Sequence, residues 1–279
     1  KILISMKSMS KLYVYGDSWA TPPTKELVED PNNPTPWMFL LFDKLGCEAI
    51  GSYAANGTSI DWVMHQFFEH GHDDIQKGDC IVWIVTHPSR RWLLEDHPEL
   101  SNIWMDYDTT PISPQEKKAL IQYRRYLNNT KSVDTHLKAM SIAMSHVAMS
   151  KGAKIIQVPG FVRSKKDGKV PTHEMLFNPY VKVTGALELV GSYNFPEEYE
   201  MWERNNMQVN MVTETQIDNR FNHMTWDNHE IFANKLYESF VNRKDLDIHN
   251  GFSSDTQLET KEKWTSYNKD IIGHLRRID

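Results

Sequence analysis

Three short stretches of this chain combine residue types that do chemistry. The first is Gly16-Asp17-Ser18-Trp19, directly after the β-type run Leu12-Tyr13-Val14-Tyr15. A serine on the tight turn leaving a strand exposes its hydroxyl, the glycine lets the backbone turn, and a neighbouring amide can face a developing oxyanion. The second is Gly51-Ser52-Tyr53-Ala54-Ala55-Asn56-Gly57-Thr58-Ser59, a small-residue loop running into a helix, whose unpaired N–H groups suit an anion. The third is Asp218-Asn219-Arg220-Phe221-Asn222-His223-Met224-Thr225, just before the last helix. There, a loop histidine with an aspartate nearby suits a general base and its orienting carboxylate. Taken singly, each also reads as something ordinary: a common turn, a plain β–α connection with its cap, a surface histidine near a helix cap.

The elements that must position these residues follow from periodicity. Strands are expected at Leu12–Tyr15, Cys47–Ile50, Cys80–Val85 and Ile155–Val158. The run Cys80-Ile81-Val82-Trp83-Ile84-Val85 is apolar throughout, which suits a central parallel strand covered on both faces. Helices are expected from Trp37 to Leu45, closed by Gly46, and from a Ser59 cap through Ile60, Val63, Met64, Phe67 and Phe68. Further helices are expected near Gln115–Leu127, over Ser132–Ser150 and from about Thr225, with Phe232, Ala233, Leu236 and Phe240 on one face. This β-α-β-α rhythm argues for one α/β domain around a parallel sheet, in which ligands bind at the carboxyl ends of the strands. The expected domain runs from 12 to 243, with insertions at about 88–131 and 161–216, an N-terminal extension over 1–11 and a polar tail over 244–279.

Composition narrows the function classes. The chain has 279 residues, 40% hydrophobic and 24% charged, with a formal net charge of −6. That balance is globular, and without a basic block it argues against nucleic-acid binding. No apolar run reaches the ~18–20 residues of a membrane span, so no membrane association is expected. Neither GxGxxG nor GxxxxGK[ST] occurs, so dinucleotide or P-loop phosphate binding is not supported. Cys47 and Cys80 read as reduced, small hydrophobes. The opening KILISMKSMSKLYVYG has no signal-peptide h-region, and Met9 reads as a fresh start, so cytoplasm is the expected location.

Together the three stretches resemble the SGNH/GDSL hydrolase superfamily. Gly16-Asp17-Ser18 matches its nucleophile block, and Gly57 resembles its oxyanion-hole glycine. His223, with Thr225 two residues on and Ala233 ten on, fits the register of its C-terminal histidine block. The resemblance covers the α/β core from about 12 to 240. It implies a flavodoxin-like three-layer α/β/α sandwich and a serine esterase. Ser18 would be nucleophile, His223 base and Asp218 the orienting carboxylate, with no metal or organic cofactor. Two departures stand out. The position three before His223 is Arg220, so Asp218 takes the carboxylate role. The family's Gly-x-Asn-Asp block after strand three is Thr86-His87-Pro88-Ser89-Arg90 here, so Thr86 or Arg90 is the expected replacement oxyanion donor, with Asp17 beside them. Phage-associated members of the family carry a stretch like Asn222-His223-Met224-Thr225 and lack the Asn block, which points to a phage-like origin and a virion-associated location. The implied substrate is a small-molecule or glycan ester, with O-acyl or O-acetyl groups the expected target. A non-catalytic glycan-binding or virion structural module on the same fold is the competing reading.

Other candidates are weaker. His65, His70, His72, Asp73 and Asp74 cluster in sequence but match no metal-site spacing. Asp227 and His229 offer a second Asp/His pair, placed less well than His223. Arg90 and Arg91 suit either a substrate carboxylate or solvent. The aromatic stretch from Arg91 to Tyr107 is either a roof over the site or a packed surface loop.

Overall fold

The computed structural model describes residues 10–21, 35–88, 90–93, 113–126, 130–165, 168–171, 176–187, 224, 226–248 and 250–252. Its centre is a parallel four-stranded sheet: β1 (Lys11–Gly16), β2 (Ala49–Ala54), β3 (Cys80–Val85) and β4 (Lys154–Pro159), in the order β2-β1-β3-β4. All six residues of β3 are buried, and β3 pairs in register with β1 (Leu12 opposite Cys80) and with β4 (Cys80 opposite Lys154). The uninterrupted apolar run is therefore central, as its sequence requires.

Alternation sends the side chains to two cores. Leu12, Val14, Val82, Ile84, Ile156 and Val158 face α1 (Trp37–Leu45) and α5 (Trp226–Asn242), through Trp37, Leu41, Phe232 and Leu236. Tyr13, Tyr15, Ile81, Trp83, Val85 and Ile155 face α2 (Ile60–Gln66) and α4 (Thr130–Ser150), through Val63, Phe67, Leu137 and Met144. This is a flavodoxin-like three-layer α/β/α sandwich. Ser59 caps α2 by accepting from the Trp62 amide at 3.2 Å, and Gly46 ends α1 in the left-handed region (φ 63°). A π-helical turn at Phe67–Gly71 prolongs α2, and Gly71 leaves room for the Tyr15 hydroxyl, which a Cβ there would strike. Helix α3 (Pro114–Tyr126) lies within the first insertion. The second insertion contributes the hairpin β5 (Val162–Lys165) and β6 (Gly168–Pro171) and the short strand β7 (Val183–Thr184).

Two expectations are corrected. The second strand begins at Ala49 rather than Cys47 and runs through Ala54, so Gly51–Ala54 are strand rather than loop. β2 is an edge strand whose small, half-covered residues carry little β signal. The chain beyond 243 is not polar throughout: Leu246, Ile248 and Phe252 are buried in the first core, and β8 (Leu246–Asp247) pairs in parallel with β7.

The other edge is closed by a side chain. Asn178 accepts from the Gln157 amide and donates to the Gln157 carbonyl, both at 2.8 Å, and so occupies a neighbouring strand's place. The Gln157 side chain is fully buried, but Ser141 and Ser145 satisfy its amide. Among the described residues, no helix is long and apolar enough to cross a membrane. Cys47 and Cys80 are free and buried, and burial pushes the Cys80 thiol up to about 12.

Candidate active site

From β1 the chain steps to one neighbour, β2, and then returns past β1 to β3 on its other side. The carboxyl ends of β1 and β3 thus form the switch point of the sheet, where a crevice opens in α/β folds. The Ser18 turn leaves β1 at this point. Gly16 has φ 149°, and a Cβ there would lie 2.7 Å from the Ile84 carbonyl, so only glycine fits. The Asp17 carbonyl accepts from the Ala20 and Thr21 amides at 2.9 and 3.0 Å, which closes the turn. Ser18 is half-buried at its apex, between the fully buried Asp17 and the buried Trp19.

The loop after β2 docks on the same point. The Gly16 carbonyl accepts from the Ala55 amide at 3.3 Å, and the Thr58 hydroxyl, which donates to the Ala55 carbonyl at 2.9 Å, lies 3.3 Å from the same oxygen. Gly57 lies between these two anchors with φ 73°, a conformation that favours glycine. The Ser18 turn and the Gly57 loop are therefore held together through one backbone carbonyl.

The residues after β3 stand beside the same turn. Asp17 is 0% exposed, and its Oδ2 accepts from Thr86 Oγ1 and Arg90 Nη1, each at 2.7 Å. Arg90 Nη1 also donates to Thr86 Oγ1 at 2.9 Å, and Asp17 Oδ1 accepts from the Trp19 amide at 3.2 Å. The guanidinium lies 5.2 Å over the Phe161 ring, itself edge-on to His87. The Asp17 carboxylate is fully enclosed by protein donors. The Thr86 hydroxyl and Arg90 Nη1 both donate to that carboxylate. Arg91 likewise meets a carboxylate, Asp61, at 2.9 Å.

His223 and Asp218 lie outside the described residues, as does most of the aromatic stretch to Tyr107. Met224, the chain neighbour of His223, is buried in the same core as Trp19 and Ala20, which follow Ser18. His229 meets the scaffold at the start of α1. It is 2% exposed, and its Nδ1 accepts from the Trp37 amide at 3.2 Å at the start of α1. The helix has no side-chain cap from Pro36, so this imidazole takes the cap's place. Trp37 in turn donates Nε1 to the Trp19 carbonyl at 2.9 Å, tying α1 to the Ser18 turn.

Sequence reasoning did not single out Phe161, two residues beyond the end of β4, whose ring lies under the Arg90 guanidinium. The Tyr15 phenol, next to Gly16, is a core group: burial foremost, then Tyr53, pushes it well above the ordinary tyrosine range.

Neither a protein-family model nor a curated protein matches the chain. Among solved structures, it is similar to the crystal structure of protein YxiM from Bacillus subtilis, at 15% identity and a TM-score of 0.29. The match covers 57% of this chain and 35% of that one, about a third of its length. So loose a superposition transfers neither fold nor activity. The architecture therefore rests on strand order and layering, and the candidate site on the contacts at the carboxyl ends of β1 and β3.

Proposed function

We propose that the chain is a serine ester hydrolase of the SGNH type, with Ser18 as nucleophile, His223 as general base and Asp218 as the carboxylate that orients it. The observation that carries this reading is the shared anchoring of the Ser18 turn and the Gly57 loop on the Gly16 carbonyl at the switch point. It brings a strand-end serine beside a glycine loop, the pairing that acyl transfer needs.

In this reading Ser18 Oγ attacks the acyl carbon while His223 takes the hydroxyl proton. The tetrahedral oxyanion is met by the Ser18 and Gly57 amides. His223 then protonates the leaving alcohol, and water repeats the sequence on the acyl-enzyme. Asp17, Thr86 and Arg90 shape the nucleophile turn. The substrate is an O-acyl, and specifically O-acetyl, ester of a carbohydrate.

The competing reading, a non-catalytic glycan-binding or virion module, draws on one observation: Thr86 Oγ1 and Arg90 Nη1 are both bonded to Asp17, which leaves the oxyanion to backbone amides. Loss of one oxyanion donor costs ~100–1,000-fold in rate. The test is Ser18→Ala against p-nitrophenyl acetate and a fluorophosphonate probe. Turnover and labelling present in the wild type and lost in the variant, with an unchanged melting temperature, support the esterase. A wild type that neither turns over nor labels supports the module.

A further inference from the structure

Two consecutive arginines reach to two different carboxylates. Arg90 Nη1 lies 2.7 Å from Asp17 Oδ2, on the turn that carries Ser18. Arg91 Nε lies 2.9 Å from Asp61 Oδ2, in the first turn of α2, two residues beyond the Ser59 cap and four beyond Gly57. The Trp92 amide donates to the same Asp61 oxygen at 3.3 Å. The other Asp61 oxygen is 2.6 Å from His136 Nε2, on α4. None of the four charged side chains in the two arginine pairs is more than 22% exposed; Arg90 hydrogen-bonds its carboxylate, whereas Arg91 Nε makes an ion pair with Asp61 that lacks hydrogen-bond alignment.

The chain has a reason to hold these loops from outside. An oxyanion hole made by two backbone amides on separate loops works only if their spacing is set closely, because a shift of ~1 Å can cost ~100-fold in rate. The Gly16 carbonyl fixes the inner ends of the two loops. Further out, side chains from the segment after β3 reach the Ser18 turn and the first turn of α2.

Resting on the esterase reading above, we propose that Arg90 and Arg91 form a two-sided staple that sets the position of the Ser18 turn against the Gly57 loop. Arg91 and Asp61 are positioning residues for acyl transfer: they touch no reacting atom and act through the first turn of α2, which follows the Gly57 loop. His136 holds Asp61 from α4, so the staple is fastened to the second core as well.

The experiment compares Arg90→Ala, Arg91→Ala, Arg91→Lys, Asp61→Asn and the double variant Asp61→Asn/Arg91→Ala in p-nitrophenyl acetate hydrolysis. Active sites are counted by fluorophosphonate titration, and amide exchange is followed over 17–21 and 57–62. Arg91→Ala and Asp61→Asn each lower kcat per titrated site by at least ~10-fold with KM within ~2-fold, and Arg91→Lys recovers part of the loss. The double variant is no slower than the slower single variant, because both substitutions break the same contact. Exchange over 57–62 quickens in Arg91→Ala, and exchange over 17–21 quickens in Arg90→Ala. Unchanged kcat per active site, or additive losses in the double variant, overturns the proposal. If the wild type shows no Ser18-dependent turnover, the esterase reading falls and the exchange data alone decide: unchanged exchange over 57–62 in Arg91→Ala then overturns the staple.

Discussion

Arg90→Met isolates the most consequential polar contact in the crevice. The substitution keeps most of the side chain's length and its packing over Phe161, and removes the charge. Asp17 is then left 0% exposed with only the Thr86 hydroxyl and the Trp19 amide as donors. Removing one partner of a buried ion pair costs about 3–5 kcal/mol, because the remaining charge is desolvated and uncompensated. At ~2–4 °C per kcal/mol for a domain near this size, the melting temperature falls by roughly 6–20 °C. Asp17→Asn is milder, about 1–2 kcal/mol, because the Arg90 side chain is 16% exposed and its freed guanidinium still reaches water. The double variant Asp17→Asn/Arg90→Met lies well above the stability expected from the sum of the two losses, since the unpaired carboxylate no longer exists. Urea denaturation of the four proteins at pH 7 measures the cycle. A loss below ~1 kcal/mol in Arg90→Met, the value of an exposed pair, refutes the buried clamp.

Two further outcomes follow from the core. His229→Leu frays the start of α1 by removing the acceptor for the Trp37 amide, at about 1 kcal/mol, while ester turnover persists. A ~100-fold loss of kcat would instead move the general base from His223 to His229. Stability also falls as pH rises from about 9 toward 12. Burial holds the Cys80 thiol and the Tyr13 phenol at about 12, above 9.0 and 10.0, so the folded chain keeps protons that the unfolded chain releases. Urea midpoints at pH 8, 9.5 and 10.5 show the decline, and Cys80→Ala flattens its part between pH 9 and 10. A flat profile in the parent contradicts the burial of both groups.

Much of the scaffold was legible without coordinates, because it depends on local pattern. The apolar run Cys80–Val85 announced a strand covered on both faces. The Ser59 cap and the Gly46 stop marked a helix start and a helix end, and the spacing of Val133, Leu137 and Met144 marked the long helix α4. Where local signal was thin, the reading slipped. β2 is built from small residues at a sheet edge, so its span was placed too early. Leu246-Asp247-Ile248 alternates over too few residues to stand out, and its partner Val183–Thr184 is remote in sequence. A polar tail was therefore expected where three residues enter the core.

The site divides in the same way. Sequence alone identified Gly16-Asp17-Ser18 as a strand-end turn and Gly57 as a loop glycine, because glycine and serine carry backbone and chemical information in place. It also singled out Thr86 and Arg90, since residues after a buried strand stand at the sheet's carboxyl edge. Their partner was decided only by the order β2-β1-β3-β4, which sets the end of β3 beside the end of β1 and brings Asp17 within 2.7 Å of both. A buried carboxylate draws the nearest donors because leaving it unpaired is costly. Which donors are nearest is a property of strand neighbours, and a linear sequence does not contain it.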